Sequence, residues 1–147
     1  MTKAKLNTRR EVGQQLSFAL YGAANRVIRL HKPFLEPLGL TFPQYLVLLE
    51  LFSGTPKSVG ELGIKLAMDT GTITPLLKRM EASRLLTRVR DAADERRVLV
   101  NLTAKAEALR DEIWSITDKI KAACRLDEHG LIALRDTLQD LGHPRND

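Results

Sequence analysis

The sequence predicts a mainly α chain interrupted by one small β-hairpin, and three observations predict it. Apolar residues recur at three- and four-residue spacing over most of the length. Between Gly60 and Thr103 the run GELGIKLAMDTGTITPLLKRMEASRLLTRVRDAADERRVLVNLT reads as helix, short turn, helix, hairpin. The hairpin tip, DAADERR, is charged and separates two stretches in which β-branched and basic residues alternate. In that order these parts make a winged helix-turn-helix, flanked here by long N- and C-terminal helices.

One domain is expected over residues 1–147, with 44% hydrophobic and 28% charged residues and enough chain to bury a core. Residues 1–40 and 104–147 are expected to be dimerisation helices, and 41–103 the winged lobe. No run approaches the roughly 20 apolar residues of a membrane span. The basic start, MTKAKLNTRREVGQQL, lacks the apolar core of a signal peptide. A single cysteine excludes an intrachain disulfide and fits a cytoplasmic setting.

The net charge of +5 points toward a polyanion, and its distribution says more than its sum. Residues 1–32 hold seven basic residues and one acid, and residues 68–102 hold seven and five. Residues 103–147 hold seven basic and nine acidic residues, so the basic excess lies at the N-terminus and on the hairpin unit. A duplex would be drawn to one side of the molecule. The N-terminal basic arm reads equally well as a phosphate contact or as a solvated, frayed end.

The first helix is predicted from about Val12 to Phe34, with Leu16, Leu20, Ala23, Ala24, Val27 and Leu30 as its stripe. Pro37 and Gly39 break the chain; Thr41 and Gln44 then form a capping box for a second helix reaching Phe52. Ser58 and Glu61 form another, opening a third helix to about Ala67. Met68-Asp69-Thr70-Gly71 is the turn, and the fourth helix runs to about Ser83 on the stripe Ile73, Leu76, Leu77 and Met80. Its opposite face carries Gly71, Thr74, Pro75, Lys78, Arg79 and Ala82, small residues and cations suited to approaching a groove. A proline is cheap only in a helix's first turn, so Pro75 places the start as late as Thr72. The strands are predicted at Leu86–Arg90 and Arg97–Asn101, with helices at 104–124 and 128–141 capped by Thr103 and Asp127. Gly142 takes the C′ position, with Pro144 beyond.

Long flanking helices with apolar stripes must be buried on something, and a second copy of the chain is the economical partner. Two recognition helices would then stand about one DNA turn, roughly 34 Å, apart and read a near-palindromic duplex.

Other chemistries find little support. Cys124, His129 and His143 lack metal-ligand spacing, and no glycine-rich phosphate loop follows a strand, so no metal or cofactor is expected. Ser17 and His31 would sit roughly 21 Å apart on one straight helix, and no nucleophile elbow exists, so no enzyme is expected. Trp114 reads as helix packing, and aromatics at 5% are not interleaved with cations as single-strand binders require.

The chain resembles the MarR family of bacterial transcriptional regulators, and within it the organic hydroperoxide resistance regulators. The matching stretches are Leu16-Ser17-Phe18-Ala19-Leu20-Tyr21, Leu38 to Tyr45, Val59-Gly60-Glu61-Leu62, Gly71 to Glu81, and Asp94-Glu95-Arg96-Arg97-Val98. The resemblance implies a triangular homodimer that represses by occupying a promoter. It also implies that Arg96 enters the minor groove, that Asp94 steadies the wing tip, and that Thr72, Thr74, Lys78 and Arg79 touch bases and phosphates. Thr70, Arg90 and Arg97 complete the expected DNA-binding set.

The same resemblance implies a sensing cysteine at position 17 and two tyrosines from the partner subunit at positions 31 and 42. This chain has Ser17, His31 and Phe42 there. A hydroxyl cannot form a sulfenic acid, so peroxide sensing by that route is excluded. An engineered replacement would account for Ser17 alone; the three changes together fit a sensor with a new input. Ser17, Tyr21, His31, Phe42 and Tyr45 become the expected pocket for a small apolar or phenolic effector. Cys124, flanked by Lys121 and Arg125, is a redox candidate that reads better as an ordinary thiol. Two functions stand side by side: a repressor released by a small molecule or stress signal, and a non-sensing interaction module or redox-blind form of a peroxide sensor.

Overall fold

A computed structural model describes residues 11–143; the basic arm before Glu11 and Pro144 lie outside the described residues. After a 3-10 turn at Val12–Gln14, the first helix α1 is Leu16–Leu35. It starts later than predicted because Gln15 is extended and the preceding turn, which contains Gly13, stays 3-10. The break at Pro37 and Gly39 is a 3-10 turn closed by Gly39 at φ +68, where Leu40 N–H donates back to the Leu35 carbonyl.

Helix α2 (Phe42–Phe52) and helix α3 (Val59–Lys65) both open on the predicted capping boxes, Thr41 with Gln44 and Ser58 with Glu61. Helix α3 ends two residues before the predicted Ala67, which adopts φ +54 and turns the chain. Gly63 makes that turn possible: a Cβ there would lie 2.9 Å from the Met68 carbonyl.

Helix α4 is Thr70–Ala82, so the predicted late start at Thr72 is wrong. Asp69 decides the boundary: it is the N-cap, and its carboxylate accepts from Thr72 N–H at 2.9 Å. Pro75 therefore sits inside the helix, on the exposed face, where water can serve the carbonyl it leaves without a donor. All four residues of the predicted stripe are buried.

The sheet has three strands, not two. Strand β1 (Lys57–Ser58) pairs with β3 (Val98–Leu102), which pairs in turn with β2 (Leu86–Arg90), all antiparallel. β1 is two residues long and carries no alternation to announce it. β3 starts one residue later than predicted because Arg97 N–H is used to close the wing tip on the Asp94 carbonyl.

The predicted helix 104–124 is two helices, α5 (Ala104–Glu107) and α6 (Arg110–Ala123), divided by a tight turn in which Leu109 N–H reaches the Ala106 carbonyl. Ala106 and Ile113 are fully buried on either side of it. Helix α7 (Glu128–Asp140) is capped by Asp127, and Gly142 takes the predicted left-handed position at φ +77. Trp114 packs edge-on against Phe52 with the Arg110 guanidinium over its ring, as a packing residue would.

The core lies between α2, α4, β3 and α6, around Leu48, Leu51, Leu77, Met80, Val100 and Ile116. Helix α1 enters it only at its C-terminal end, through Leu35, and α7 stays outside it. Leu16 is 63% exposed and α7 buries no residue at all, so among the described residues much of the predicted apolar stripe of α1 is left uncovered.

Candidate nucleic-acid interface

Two elements build the interface. Helix α4 turns its apolar stripe inward, which leaves Thr72, Lys78 and Arg79 exposed and Thr74 half-buried. The β2–β3 hairpin projects beside it. Between them runs a groove of about 610 Å³ whose lining includes Thr70, Thr74, Arg96 and Arg97. Four of the predicted DNA-contacting residues thus share one concavity; Thr72, Lys78 and Arg79 are exposed on α4 but are not part of its lining.

The wing tip is ordered by its own carboxylates. Asp94 Oδ1 accepts from Arg96 N–H and from Arg96 Nε, each at 3.1 Å. Those bonds hold the Asp94 carboxyl below its ordinary pKa. They also occupy Arg96 through Nε alone. Its two terminal nitrogens face water on a side chain that is 91% exposed.

The other two predicted wing arginines are engaged internally. Arg90 Nη1 donates to the Glu95 carbonyl at 2.8 Å. Arg97 Nη2 donates to Glu61 Oε1 at 3.2 Å and its Nη1 lies 3.8 Å from Asp91. Arg97 therefore joins the wing to the capping box of α3.

Three residues of this face escaped the sequence reading. Arg88 lines the groove, and its spacing of two from Arg90 on β2 was a usable signal. Glu81 pairs with Arg88 only through the tertiary fold. Ile64 lines the groove at 86% exposure, an isolated apolar knob that no periodicity marks.

Comparison with known proteins settles the family. The profile described as transcriptional regulator SarA/Rot matches residues 29–113. The regulator MgrA of Staphylococcus aureus is 38% identical over 131 residues, 88% of this chain and 89% of its own. The organic hydroperoxide resistance transcriptional regulator of Bacillus subtilis is 38% identical over 127 residues, 86% of each chain. Among solved structures, Bordetella bronchiseptica BpsR, whose DNA binding is regulated by 6-hydroxynicotinic acid, superposes with a TM-score of 0.82 at 25% identity. That match covers 92% of this chain and 98% of BpsR.

This chain is a MarR-type winged-helix transcriptional regulator. It is a DNA-binding protein and not an enzyme. Among the described residues no helix is long and apolar enough to cross a membrane, and no His, Cys, Asp and Glu group could hold a metal.

Within that family frame, the expected sensor pocket divides in two. His31, Phe42 and Tyr45 form one aromatic cluster, with the His31 ring centroid 4.9 Å from Phe42 and 5.3 Å from Tyr45. His31 is buried, and its Nδ1 lies 2.8 Å from the Val27 carbonyl. A carbonyl only accepts, so Nδ1 is the donor in that bond. Ser17 and Tyr21 do not join the cluster. They lie on the exposed N-terminal half of α1, Tyr21 at 69% exposure. A cavity of about 300 Å³ opens beside Phe42, with Arg29 and Lys32 on its rim. Cys124 is half-buried at the end of α6 and shares a trough of about 590 Å³ with Val27 and Leu131.

Proposed function

We propose that this regulator is a cytoplasmic homodimeric repressor that binds near-palindromic duplex DNA and is released by a small aromatic anion. The observation that carries the reading is the wing tip. Asp94 fixes Arg96 through its backbone and Nε, so the outward nitrogens are aimed before any duplex arrives. Thr70, Thr72, Thr74, Lys78 and Arg79 would meet the major groove and its phosphates, and Arg96 the minor groove. Arg90 and Arg97 would act from behind, by shaping the wing.

The dimer reading rests on α1 and α7, whose apolar faces are left largely uncovered among the described residues. Residues 1–40 and 104–147 would supply that interface, and 41–103 the reading lobe.

The effector reading rests on the cavity beside Phe42. Its size lies at the lower end of ligand pockets; Glu36 in the same lining pairs with Lys32, so Arg29 is the cation that would favour a carboxylate or phenolate on an aromatic ring. That BpsR responds to 6-hydroxynicotinic acid is consistent with this chemistry. His31 and Tyr45 would back the pocket, and Ser17 and Tyr21 would reach it only from a partner subunit. Release requires that the effector prefer the conformation that binds DNA poorly.

The test is a mobility shift of the purified protein on intergenic DNA upstream of its own gene, at fixed salt. Binding should survive cumene hydroperoxide and weaken with hydroxylated aromatic carboxylates. Loss of binding to peroxide would overturn the proposed input and implicate Cys124, the chain's one thiol.

A further inference from the structure

We infer that Glu81 and Arg88 form the strut that sets the pitch of the wing against the recognition helix, and are therefore positioning residues for Arg96. Glu81 stands in the last turn of α4, and Arg88 is the central residue of β2. Both carboxylate oxygens are used. Oε2 accepts from Arg88 backbone N–H at 2.9 Å, and Oε1 accepts from Arg88 Nη2 at 3.1 Å. Among the described residues, Glu81 is the one α4 side chain that hydrogen-bonds the hairpin.

The place of these bonds gives them their role. β2 is an edge strand, paired with β3 on one side only. Its free edge would ordinarily offer an N–H to water or to a stray strand. Glu81 takes that N–H instead and so fixes the strand along its outer edge. At its start β2 is already anchored: Leu85 and Leu86 are buried, and Thr103 bonds the Arg84 and Leu85 carbonyls. Beyond that anchor the hairpin leaves the core, and Arg96 stands at its far end. A small change of pitch at Arg88 is amplified at the tip.

The Arg88 side chain is largely buried, at 22% exposure. Its Nε is buried with no acceptor among the described residues. The side-chain and backbone hydrogen bonds from Arg88 hold the Glu81 carboxyl below its ordinary pKa.

The inference rests on the proposed role of Arg96 at DNA, and the experiment separates the two. Affinity for one intergenic duplex is measured at fixed salt for the parent chain, Glu81→Gln, Arg96→Ala and the double variant. Glutamine has one acceptor, so whichever way its amide turns, an NH₂ faces a donor of Arg88. Glu81→Gln should lower affinity about fivefold, and that loss should vanish in the Arg96→Ala background, because residues acting through one contact are not additive. Arg88→Lys keeps the backbone bond and one charged bond. It should cost only about twofold, again only when Arg96 is present. It serves as the second variant if Glu81→Gln folds poorly in a thermal melt. Losses that add to that of Arg96→Ala, or no loss at all, would overturn the strut. If Arg96→Ala itself leaves affinity unchanged, the wing reading falls and the strut falls with it.

Discussion

The Tyr45 hydroxyl lies 2.9 Å from the Thr117 hydroxyl, joining α2 to α6 across seventy-two residues of sequence. Tyr45 is buried, and its ring also packs against His31 and Phe42. One side chain thus links the aromatic cluster to α6. Tyr45→Phe keeps the ring and removes the bond, which should cost about 1 kcal/mol. For a chain of this size that is a fall in Tm of roughly 2–4 °C. An unchanged melt would mean that water already satisfies Thr117.

Asp94 offers a pH test of the wing tip. Its carboxyl is held below its ordinary pKa first by the Arg96 side chain and then by the Arg96 backbone N–H. A depressed folded-state value contributes stability that is present above the unfolded pKa and is lost as pH falls through the folded one. The tip should therefore stay ordered through the usual aspartate range and loosen only below it. Carbon-13 NMR of the carboxyl checks this. Arg96→Ala should raise the midpoint toward the ordinary value, and no movement would mean that the bond is absent in solution.

Lys78 is exposed on α4 and points away from the core stripe. As a phosphate contact, Lys78→Ala should weaken binding to all duplexes alike and reduce the slope of log affinity against log salt by about one. A loss confined to one sequence would assign Lys78 to base reading instead.

Asp69 caps the recognition helix at its first turn. Asp69→Ala should cost about 1 kcal/mol of stability by urea unfolding. DNA affinity should fall with it, because Thr70 and Thr72 lie in the turn that frays. Unchanged stability would show that Thr70 or water replaces the cap.

The sequence carried the helices well wherever periodicity and caps agreed. The boxes at Thr41 and Ser58 and the stripe Ile73 to Met80 are local patterns, and all reappear in the structure. Failures came where tertiary context outweighs local preference. Pro75 argued for a late start, but the Asp69 cap and four buried apolar residues outweigh one lost bond. β1 exists only because β3 passes beside it. The same division holds for the site. Lys78, Arg79 and Arg96 are legible as exposed cations on recognisable elements. Glu81 is not, because its meaning depends on Arg88 lying across a corner of the fold. Ser17 and Tyr21 were grouped with His31 by resemblance, and one chain cannot bring them together.

The bare stripes of α1 and α7 have a consequence for dosage. If folding is completed only when two copies meet, Tm should climb with protein concentration. At low abundance the amount of competent regulator would then rise as the square of the amount made. A modest change in synthesis would translate into a steep change in promoter occupancy, before any effector enters.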